Sequence, residues 1–479
     1  MSDPAAKRDW ASLRLHFIGI GGAGMSGLAL VCKQLGASVG GSDRADSSYM
    51  RRLREAGLEP ATGHDAANLP EDAVVVVSTA IDDENPELAL ARERGQEVVR
   101  RGELLAQLCA EKRLIAVAGT HGKTTTTAML VWALRKIGAD PAFFVGGEVP
   151  GLGDGGEPTN AAWGEGEWAI AEADESDASF LALRPEVAAI TNIEMDHHSR
   201  WGSVGELREA FRDFAAPARG LALPAPGALP GAPREPGHGA PGSTGGERPT
   251  DSLHCEAEGE KEVVGFDAER PGPPRLSLRV WGRHNLFNAR AALAAVELAG
   301  MDVAAAAEAL EDFPGVGRRL EYKGRCAGAD IYDDYAHHPT EVRAALEALR
   351  GRDFARLVVV FQPHLYSRTK ALAEEFGAAL ALADEAVVLD VYAAREDPVG
   401  ELAGVSGKLV ADAASEHMGG RPVCWTPRFE EALGAVRRRL SPGEALVTIG
   451  AGDVFRLAEA LVEETASSDE DKPPEDDAR

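Results

Sequence analysis

The run from Gly119 to Thr124 has the residue types of a phosphate-binding turn. It reads Gly119-Thr120-His121-Gly122-Lys123-Thr124 and continues into Thr125 at the start of a predicted helix. Backbone N–H groups of such a turn can surround a triphosphate, Lys123 can neutralise its β and γ oxygens, and the Thr124 hydroxyl can bind Mg²⁺. Val117 stands where a strict Walker A sequence has a glycine, so the run is a variant of that motif. It predicts a triphosphate site.

Two polar runs follow predicted strands in the same part of the chain. Glu172-Ala173-Asp174-Glu175-Ser176-Asp177 follows an apolar segment at 167–171, and the run from Asn192 to His198 follows another at 187–191. An isolated acidic run favours a solvated turn. The carboxyl ends of parallel strands meet at one edge of a sheet, however, and carboxylates beside a phosphate-binding turn supply oxygen ligands to Mg²⁺. The two runs together therefore favour a functional site.

A second glycine-rich turn lies near the start of the chain. Gly19-Ile20-Gly21-Gly22-Ala23-Gly24 has the pattern GxGxxG between a predicted strand and a predicted helix, and Asp43 follows about 20 residues on. Such glycines let the backbone approach a pyrophosphate at the positive end of a helix. Taken alone, the motif also fits a dinucleotide-dependent dehydrogenase, or a tight turn that binds no ligand.

The last third of the chain contains two polar turns that each follow a predicted strand. Asp333-Asp334-Tyr335-Ala336-His337-His338-Pro339 is the first, and Phe361-Gln362-Pro363-His364, with Arg368 just after, is the second. Pro339 suits the first position of a helix, which leaves the Asp and His side chains in the strand-to-helix turn where ligands bind. Adjacent histidines can be a surface feature without a function. Two such turns in one sheet favour a binding site.

Three series of alternating strands and helices are predicted to position these turns. The first has strands at 13–19, 74–78 and 97–100, the second restarts at 114–118, and the third has strands near 330–332, 356–361, 385–389 and 445–449. Such alternation predicts an α/β protein with parallel sheets. We expect domains at 1–110, 111–312 and 313–463, and the chain length also fits about three domains.

Two segments have compositions that can bury little apolar surface. Pro217 to Thr250 is rich in proline and glycine, and we expect a mobile loop there that is dispensable for chemistry. Replacing Leu221 to Arg248 with a short Gly/Ser linker is therefore expected to preserve the fold. Residues 464–479 are acidic and polar and are predicted to form a disordered tail.

Composition argues against several classes of function. The 479 residues carry a formal net charge of −27, which repels nucleic acid and anionic lipid, so any phosphate must be held by local groups. The segment from Met1 to Trp10 has no apolar run of signal-peptide length, and no stretch has the length of a membrane helix, so the chain is predicted to be cytoplasmic. Five cysteines without a CxxC pair argue against a disulfide framework or a zinc knuckle.

In order along nearly the whole chain, these stretches resemble the Mur ligases, and specifically their alanine-adding branch. The matching stretches are HFIGIGGAGMSGLA (16–29), AGTHGKTTTTAM (118–129), AEADESDASF (171–180), TNIEMDH (191–197), GRHNLFNA (282–289), GVGRRL (315–320), DDYAHHPTEV (333–342) and FQPHLYSRTK (361–370). The resemblance implies a Rossmann-like N-terminal domain for a UDP-sugar, a central P-loop ATPase domain with a mainly parallel sheet, and a Rossmann-like C-terminal domain for an amino acid. It assigns the first glycine turn to the diphosphate of the UDP-sugar rather than to NAD.

The resemblance also implies roles for individual residues. The implied catalytic residues are Lys123, Glu175, His197, Arg319 and His337. The implied Mg²⁺ ligands are Thr124, Glu175 and His197. ATP binding falls to the run Gly119–Thr125 together with His284, Asn285, Asn288, Arg319 and Asp334. UDP-sugar binding falls to Gly21, Gly22, Ala23, Gly24, Asp43, Ser78 and Asn192, and amino-acid binding to Tyr335, His337 and Arg368.

The implied activity is ATP-dependent ligation of L-alanine to the carboxylate of UDP-N-acetylmuramic acid in cell wall synthesis, and hence a part in cell division. ATP would phosphorylate the carboxylate, and the amine of alanine would displace phosphate, with His337 as base or positioning group. Preference among L-alanine, glycine and L-serine stays open, as does the choice between monomer and homodimer. No lysine lies between Lys136 and Lys261, which excludes from that stretch the carbamylated lysine of several Mur ligases.

Three other functions fit parts of the pattern. A murein-peptide recycling ligase shares the fold and the ATP chemistry, but residues 171–180 and the pair His337-His338 fit the alanine-adding branch better. An NAD-dependent oxidoreductase leaves the run from Gly119 to Thr124 without a purpose. A relative that only binds the UDP-sugar has no need of Lys123 or the carboxylates near it.

Overall fold

The computed structural model describes residues 8–153, 155–196, 200–225, 261–268, 275–394 and 396–470. Within them the strands form three sheets of mainly parallel strands with helices between the strands, which confirms the predicted α/β class. Among the described helices, none has both the length and the apolar character that crossing a membrane requires.

The first sheet is parallel throughout and has the strand order β3-β2-β1-β4-β5. Its strands are β1 (Arg14–Ile18), β2 (Ser38–Asp43), β3 (Ala61–Thr62), β4 (Val74–Val77) and β5 (Val98–Arg100). The helices between and after them are α1 (Ala23–Gln34), α2 (Ser48–Glu55), α3 (Pro86–Glu93) and α4 (Arg101–Cys109). The order reverses beside β1, so the glycine turn that follows β1 lies where open parallel sheets bind ligands.

The second sheet has seven strands in the order β12-β11-β10-β6-β9-β7-β8, and only β8 is antiparallel to its neighbour. Its strands are β6 (Arg113–Ala118), β7 (Ala142–Val149), β8 (Thr159–Ala162), β9 (Trp168–Glu172), β10 (Val187–Ile190), β11 (Gly220–Pro224) and β12 (Glu262–Phe266). The helices of this region are α5 (Lys123–Lys136), α6 (Val204–Ala215), α7 (Arg283–Leu298) and α8 (Val303–Leu310). Strand β6 lies between β10 and β9. The phosphate-binding turn and the two polar runs, which follow these three strands, therefore begin at neighbouring positions on one edge of the sheet.

The third sheet has the order β13-β14-β18-β15-β16-β17, and β13 is antiparallel to β14. Its strands are β13 (Glu321–Cys326), β14 (Ala329–Asp334), β15 (Leu357–Phe361), β16 (Glu385–Val388), β17 (Val423–Trp425) and β18 (Ala445–Ile449). Its helices are α9 (Pro339–Arg350), α10 (Tyr366–Leu380), α11 (Lys408–His417), α12 (Phe429–Arg437) and α13 (Phe455–Glu470).

Strand β15 shows why these short apolar runs become central strands. Every residue of LVVVF is buried, and alternate side chains enter different cores. Val359 and Phe361 pack in the core on one face, whereas Val358 and Val360 pack in the core on the other. A parallel strand covered by helices on both faces needs apolar residues at every position, which a surface strand does not.

The described chain divides into two compact units. One contains the residues up to Arg279 together with Asn285–Pro314, and the other contains Val280–His284 together with the chain from Gly315. The first unit holds the first two sheets, and one hydrophobic core includes residues of both, such as Phe17 of β1 and Ala116 of β6.

The predicted loop at 217–250 begins too early. Residues Gly220–Pro224 form β11, which is paired with β10 and β12, and its five residues are buried. The proline- and glycine-rich composition of the wider segment conceals this short apolar run, whose burial is decided by its two neighbouring strands. A linker that replaced Leu221 onwards would remove a strand, so that expectation is wrong. Residues 226–250 lie outside the described residues.

The predicted tail at 464–479 also begins too early, because helix α13 runs to Glu470. Starting a helix is costly, but each residue added to an existing helix loses the conformational freedom of one residue and gains one hydrogen bond. Polar residues can therefore continue a helix that starts in a core. Val454, Leu457 and Leu461 provide that start, since all three are buried. Residues 471–479 lie outside the described residues.

Candidate active site

The phosphate-binding turn connects β6 to α5 and depends on two glycines. Gly119 and Gly122 have φ values of 133° and 81°, in the region that favours glycine. A Cβ atom would also overlap Thr191 Oγ1 at Gly119 and Asn288 Oδ1 at Gly122. The turn therefore has its shape because neighbouring strands and helix α7 approach its backbone closely.

The end of β10 holds this turn through Thr191 and Asn192. The backbone N–H of His121 donates to Asn192 Oδ1 at 2.9 Å, and Asn192 Nδ2 donates to the His121 carbonyl at 2.9 Å. Thr191 Oγ1 donates to the same carbonyl at 2.6 Å. The side-chain amide of Asn192, predicted to bind the UDP-sugar, is thus committed to the backbone of the phosphate-binding turn.

Lys123 lies across the turn and against the acidic run that follows β9. Its ammonium donates to the carbonyl of Gly119 at 2.6 Å and forms an ion pair with Glu175 Oε2 at 2.8 Å. Burial lowers the pKa of Lys123, but the carboxylates of Glu175 and Asp174 raise it and prevail, so the lysine stays charged. Burial raises the pKa of Glu175 to about 7, against the influence of Lys123.

Thr124 is hydrogen-bonded to Glu172, which was not among the predicted metal ligands. Its hydroxyl donates to Glu172 Oε1 at 2.9 Å, and Glu172 Oε2 accepts the backbone N–H of Gly146 at 2.7 Å. The signal was present, because Glu172 opens the acidic run, but the run alone does not say which carboxylate reaches Thr124. That choice follows from the pairing of β9 with β6 and β7.

These oxygen donors fit Mg²⁺. The Thr124 hydroxyl and the carboxylates of Glu172 and Glu175 are hard ligands of the kind that Mg²⁺ takes in proteins, and they surround the start of α5. Trp201 Nε1 donates to the Glu175 carbonyl at 3.1 Å and fixes the backbone there. His197, the third predicted metal ligand, lies outside the described residues.

Two residues of α7 that were predicted to bind ATP lie beside the phosphate-binding turn. Asn285 and Asn288 are both buried, and Asn288 Nδ2 donates to Asn285 Oδ1 at 3.3 Å. The contact between Asn288 and Gly122 described above brings this pair to the start of α5. The neighbouring His284 belongs to the other compact unit, where burial, and then the charge of Arg319, lowers the pKa of its imidazole to about 4.

The first glycine turn is held by the end of β2. The N–H groups of Gly19 and Ile20 donate to the Ser42 carbonyl at 2.8 and 3.0 Å, and the N–H of Gly21 donates to Asp43 Oδ2 at 2.9 Å. Gly22 is the N-cap of α1, and Ala23 and Gly24 are the first two residues of that helix. One oxygen of Asp43 therefore shapes the turn, which the spacing of the motif alone does not reveal.

The predicted residue Ser78 lies at the end of β4, next to the glycine turn. Its hydroxyl accepts the N–H of Ala80 at 3.3 Å, and the turn that it begins brings the Ile81 side chain against Gly19. The sheet thus gathers the predicted UDP-sugar residues of the N-terminal region at the C-terminal end of β1, β2 and β4.

In the second compact unit, Asp334 organises the turn that follows β14. Its carboxylate accepts the N–H groups of Leu320 and Ala336, each at 2.7 Å. Burial raises the pKa of Asp334 to about 6, and the guanidinium of Arg319 opposes this rise. The Arg319 guanidinium also lies 5.4 Å from the centre of the Tyr335 ring.

The adjacent arginines 318 and 319 differ in what they contact. Arg318 Nε donates to Asp333 Oδ2 at 2.9 Å and its Nη2 donates to the Gly450 carbonyl at 2.7 Å, so it ties β14 to the end of β18. The sequence Gly-Arg-Arg does not distinguish the two. Both guanidinium groups lie over the Tyr335 ring, but the tertiary contacts give Arg318 a structural part and leave Arg319 near Asp334.

The residues predicted to bind the amino acid lie in or beside a row of aromatic rings at the ends of β14 and β15. The ring of His337 lies 5.6 Å from Tyr335 and 6.1 Å from His364, and His364 stacks on Tyr392 at 5.8 Å. Arg368 Nη1 lies 3.4 Å from His364 Nδ1. Tyr392 was not predicted, because it follows β16, and only the pairing of β16 with β15 brings it here.

Comparison with known proteins gives matches along almost the whole chain. Residues 14–113 match the Mur ligase family, catalytic domain; residues 117–220 match the Mur ligase middle domain; and residues 318–452 match the Mur ligase, glutamate ligase domain. The UDP-N-acetylmuramate--L-alanine ligase of Renibacterium salmoninarum is 44% identical over 462 residues, covering 95% of this chain and 96% of the relative. That of Paenarthrobacter aurescens is 45% identical over 459 residues, covering 94% and 96%.

Solved structures give the same result. The UDP-N-acetylmuramate-alanine ligase of Thermotoga maritima superposes with a TM-score of 0.76 at 28% identity, covering 95% of this chain and all of that chain (100%). A murein peptide ligase from Psychrobacter arcticus superposes with a TM-score of 0.68 at 22% identity, covering 94% and 98%, and at that identity shows the fold alone.

Proposed function

The chain belongs to the Mur ligase family, and we propose that it joins L-alanine to the carboxylate of UDP-N-acetylmuramic acid in peptidoglycan synthesis, with conversion of ATP to ADP and phosphate. The observation that carries the proposal is the 44–45% identity, over nearly the full length, to ligases of that printed name. The arrangement of Lys123 between a glycine-lined turn and buried carboxylates supports it, because a protein that only binds a UDP-sugar needs no such apparatus.

The reaction needs an activated carboxylate, because a carboxylate in water does not react with an amine. Transfer of the γ-phosphoryl group of ATP to a carboxylate oxygen gives an acyl phosphate and ADP. The amine nitrogen of alanine then attacks the carbonyl carbon, the bond from that carbon to the phosphate oxygen breaks, and a proton leaves the nitrogen. The products are the amide and inorganic phosphate.

The groups around α5 suit the first of these steps. The charged ammonium of Lys123 would stabilise negative charge on the transferring phosphoryl group, and the N–H groups of the turn would bind the other phosphates. Bound Mg²⁺, held by the Thr124 hydroxyl and the carboxylates of Glu172 and Glu175, would neutralise charge on the phosphate oxygens. Asn288, against Gly122, would border the nucleotide.

The groups of the third sheet suit the second step. Arg319, which precedes β13, and Asp334, the last residue of β14, would bind the nucleotide, and Tyr335, His337 and Arg368 would border the amino acid. His337 would accept the proton of the amine or position that amine. The backbone carbonyl of Tyr335, 3.1 Å from His337 Nδ1, orients the imidazole for this part.

The glycine turn after β1 would bind the diphosphate of the UDP-sugar at the start of α1, with Ser78 and Asp43 beside it. We place the protein in the cytoplasm, as a monomer or homodimer, since its substrates are soluble nucleotides and an amino acid. The rival recycling ligase has the same fold, but the relatives of higher identity bear the name of the alanine-adding ligase.

Phosphate release tests the proposal. Purified protein with UDP-N-acetylmuramic acid, ATP and Mg²⁺ should release phosphate when L-alanine is added, and the product should gain the mass of one alanine residue. Glycine, L-serine and the tripeptide L-alanyl-γ-D-glutamyl-meso-diaminopimelate serve as rival acceptors. Phosphate release with the tripeptide and not with L-alanine would establish the recycling reaction instead. If none of the acceptors caused phosphate release, both functions would be contradicted.

A further inference from the structure

Arg101 lies between the acidic run that follows β9 and the first turn of α1, and no motif in the sequence includes it. It is the first residue of α4 and directly follows β5. Its Nη2 is 3.5 Å from Asp174 Oδ2 and 3.6 Å from Asp177 Oδ2, both in the acidic run beside Lys123. On the other side, its Nη1 lies 3.3 Å from the position of a Cβ atom at Gly24, in the first turn of α1.

Close packing holds Arg101 in this place. A Cβ atom at the next residue, Gly102, would overlap the Cβ of Ser179, which begins the short helix Ser179–Ala182 after the acidic run. The start of α4 is thus pressed against the segment that carries Asp174 and Asp177. Asn160 Nδ2 donates to the Ala23 carbonyl at 2.7 Å and attaches the start of α1 to the second sheet. Close packing at Gly102 therefore holds the start of α4, and the Asn160 hydrogen bond holds the start of α1.

The charges around Arg101 leave part of its guanidinium available. Within the part of the chain that the structure describes, its hydrogen bond and ion pairs involve Nη2 alone. A guanidinium has five N–H donors in a planar fork that matches phosphate oxygens. The Arg101 side chain is 21% exposed, and its Nε and Nη1 donors are the ones left for a further anion.

The acidic run connects Arg101 electrostatically with Lys123. Arg101 pairs with Asp174 at 3.5 Å, and the next residue, Glu175, pairs with Lys123 at 2.8 Å. Two successive carboxylates thus connect the cation beside α1 with the cation of the phosphate-binding turn. An anion bound at either cation changes the charge that these carboxylates experience.

We propose that Arg101 binds the diphosphate of the sugar nucleotide at the start of α1 and, through Asp174 and Asp177, couples this site to the ATP site. The inference rests on the proposed function for the identity of the nucleotide. A diphosphate at α1 meets the backbone N–H groups of the glycine turn, and Arg101 supplies the positive side chain that this turn lacks. The coupling follows because the diphosphate and the two aspartates share one guanidinium.

Calorimetric titration of Arg101→Gln and Arg101→Lys with four ligands tests the binding role. UDP-N-acetylmuramic acid, UDP-N-acetylglucosamine and UDP should each bind the Gln variant roughly tenfold more weakly or worse, whereas uridine should bind equally well to all forms. The Lys variant should lose less affinity, because it keeps the charge. The matched control is Arg92→Gln, which removes an exposed arginine paired with Asp83 in the same region.

Coupling is measured by repeating the UDP titration with and without a non-hydrolysable ATP analogue. The factor by which the analogue changes UDP affinity in the wild type should fall close to one in Arg101→Gln, with affinity for the analogue alone unchanged. Circular dichroism and a cooperative melt identify folded variants. If Arg101→Gln does not fold, the same titrations are made with Arg101→Lys.

Two results would overturn the proposal. One is equal affinity of the wild type and a folded variant for UDP. The other is a loss confined to UDP-N-acetylmuramic acid, which would mean that Arg101 contacts the sugar carboxylate instead of the diphosphate. Failure of the proposed function would look different, because the wild type itself would then not ligate L-alanine in the phosphate-release assay.

Discussion

The two glycine turns of the first compact unit have similar local sequences and different surroundings. Each follows a buried parallel strand and leads into a helix, at Gly22 and at Gly122. The first turn is held by Ser42 and Asp43, whereas the second has Lys123 within it and the carboxylates of Glu172 and Glu175 around it. A turn of the first kind can hold a diphosphate, while the second kind can stabilise a phosphoryl group in transfer.

The first prediction separates the two turns by function. Lys123→Ala should lower the rate of ligation by roughly 10²–10³-fold or more, because it removes the cation that stabilises the transferring phosphoryl group. Affinity for UDP-N-acetylmuramic acid should stay within about twofold, since the first turn holds the UDP. Rates come from phosphate release and affinities from calorimetry, with Lys136→Ala at the other end of α5 as the control. A large loss of UDP-sugar affinity would contradict this division between the turns.

The second prediction compares the glycines themselves. Gly122→Ala should lower the free energy of unfolding by about 3 kcal/mol, because it combines an unfavourable φ with an overlap against a buried amide. Gly19→Ala has the same φ of 81° but meets only the end of the Ile81 side chain, so about 1 kcal/mol is expected. Urea denaturation of both variants provides the measurement, and equal losses would show that backbone strain, not packing, dominates.

The third prediction concerns the buried charge beneath the first turn. Glu87 is fully buried and bonded to His16 and Ser42 through Oε2, each at 2.7 Å, and to the N–H of Asp65 and the amide of Asn68 through Oε1, each at 3.1 Å. Ser42 also contacts His64, whose imidazole lies 3.6 Å from Glu87. Burial raises the pKa of Glu87, but these hydrogen bonds prevail and lower it from 4.5 to about 2.

A carboxylate whose folded pKa is lowered stabilises the fold above its unfolded pKa and loses that contribution as pH falls through the folded value. Glu87 should therefore contribute about 2–3 kcal/mol near neutral pH, which disappears between pH 4.5 and about 2. Glu87→Gln should lower stability at pH 7 and flatten this part of the pH profile. Denaturation of both proteins from pH 3 to 7 is the check, and parallel profiles would argue against the assigned cause.

The last prediction tests which ligand the first turn binds. Saturating UDP-N-acetylmuramic acid should raise the melting temperature, since ligand at about 100 times its dissociation constant adds roughly 2.7 kcal/mol of stability. NAD and NADP should leave it unchanged, because we assign the turn to a UDP-sugar. A thermal shift with NAD and none with the UDP-sugar would restore the dehydrogenase interpretation.

Much of this organisation could be predicted from the order of residues. The three α/β series, the turns at Gly19 and Gly119, and the helix start at Pro339 are local patterns, and the structure has each of them. Strand β11 and the length of helix α13 were missed because neither has a local signal that outweighs the composition around it. His197 remains a prediction, since it lies outside the described residues.

The positions of the phosphate-binding turns follow from local sequence, because glycines, a lysine and strand-to-helix spacing act within a few residues of one another. The distant side chains that join these turns are selected by the tertiary fold. Glu172 reaches Thr124 because β9 pairs with β6, Tyr392 stacks on His364 because β16 pairs with β15, and Arg101 meets the acidic run because α4 packs on the segment from Ser179. Such contacts depend on strand order and close backbone packing, which bring together residues with no fixed spacing along the chain.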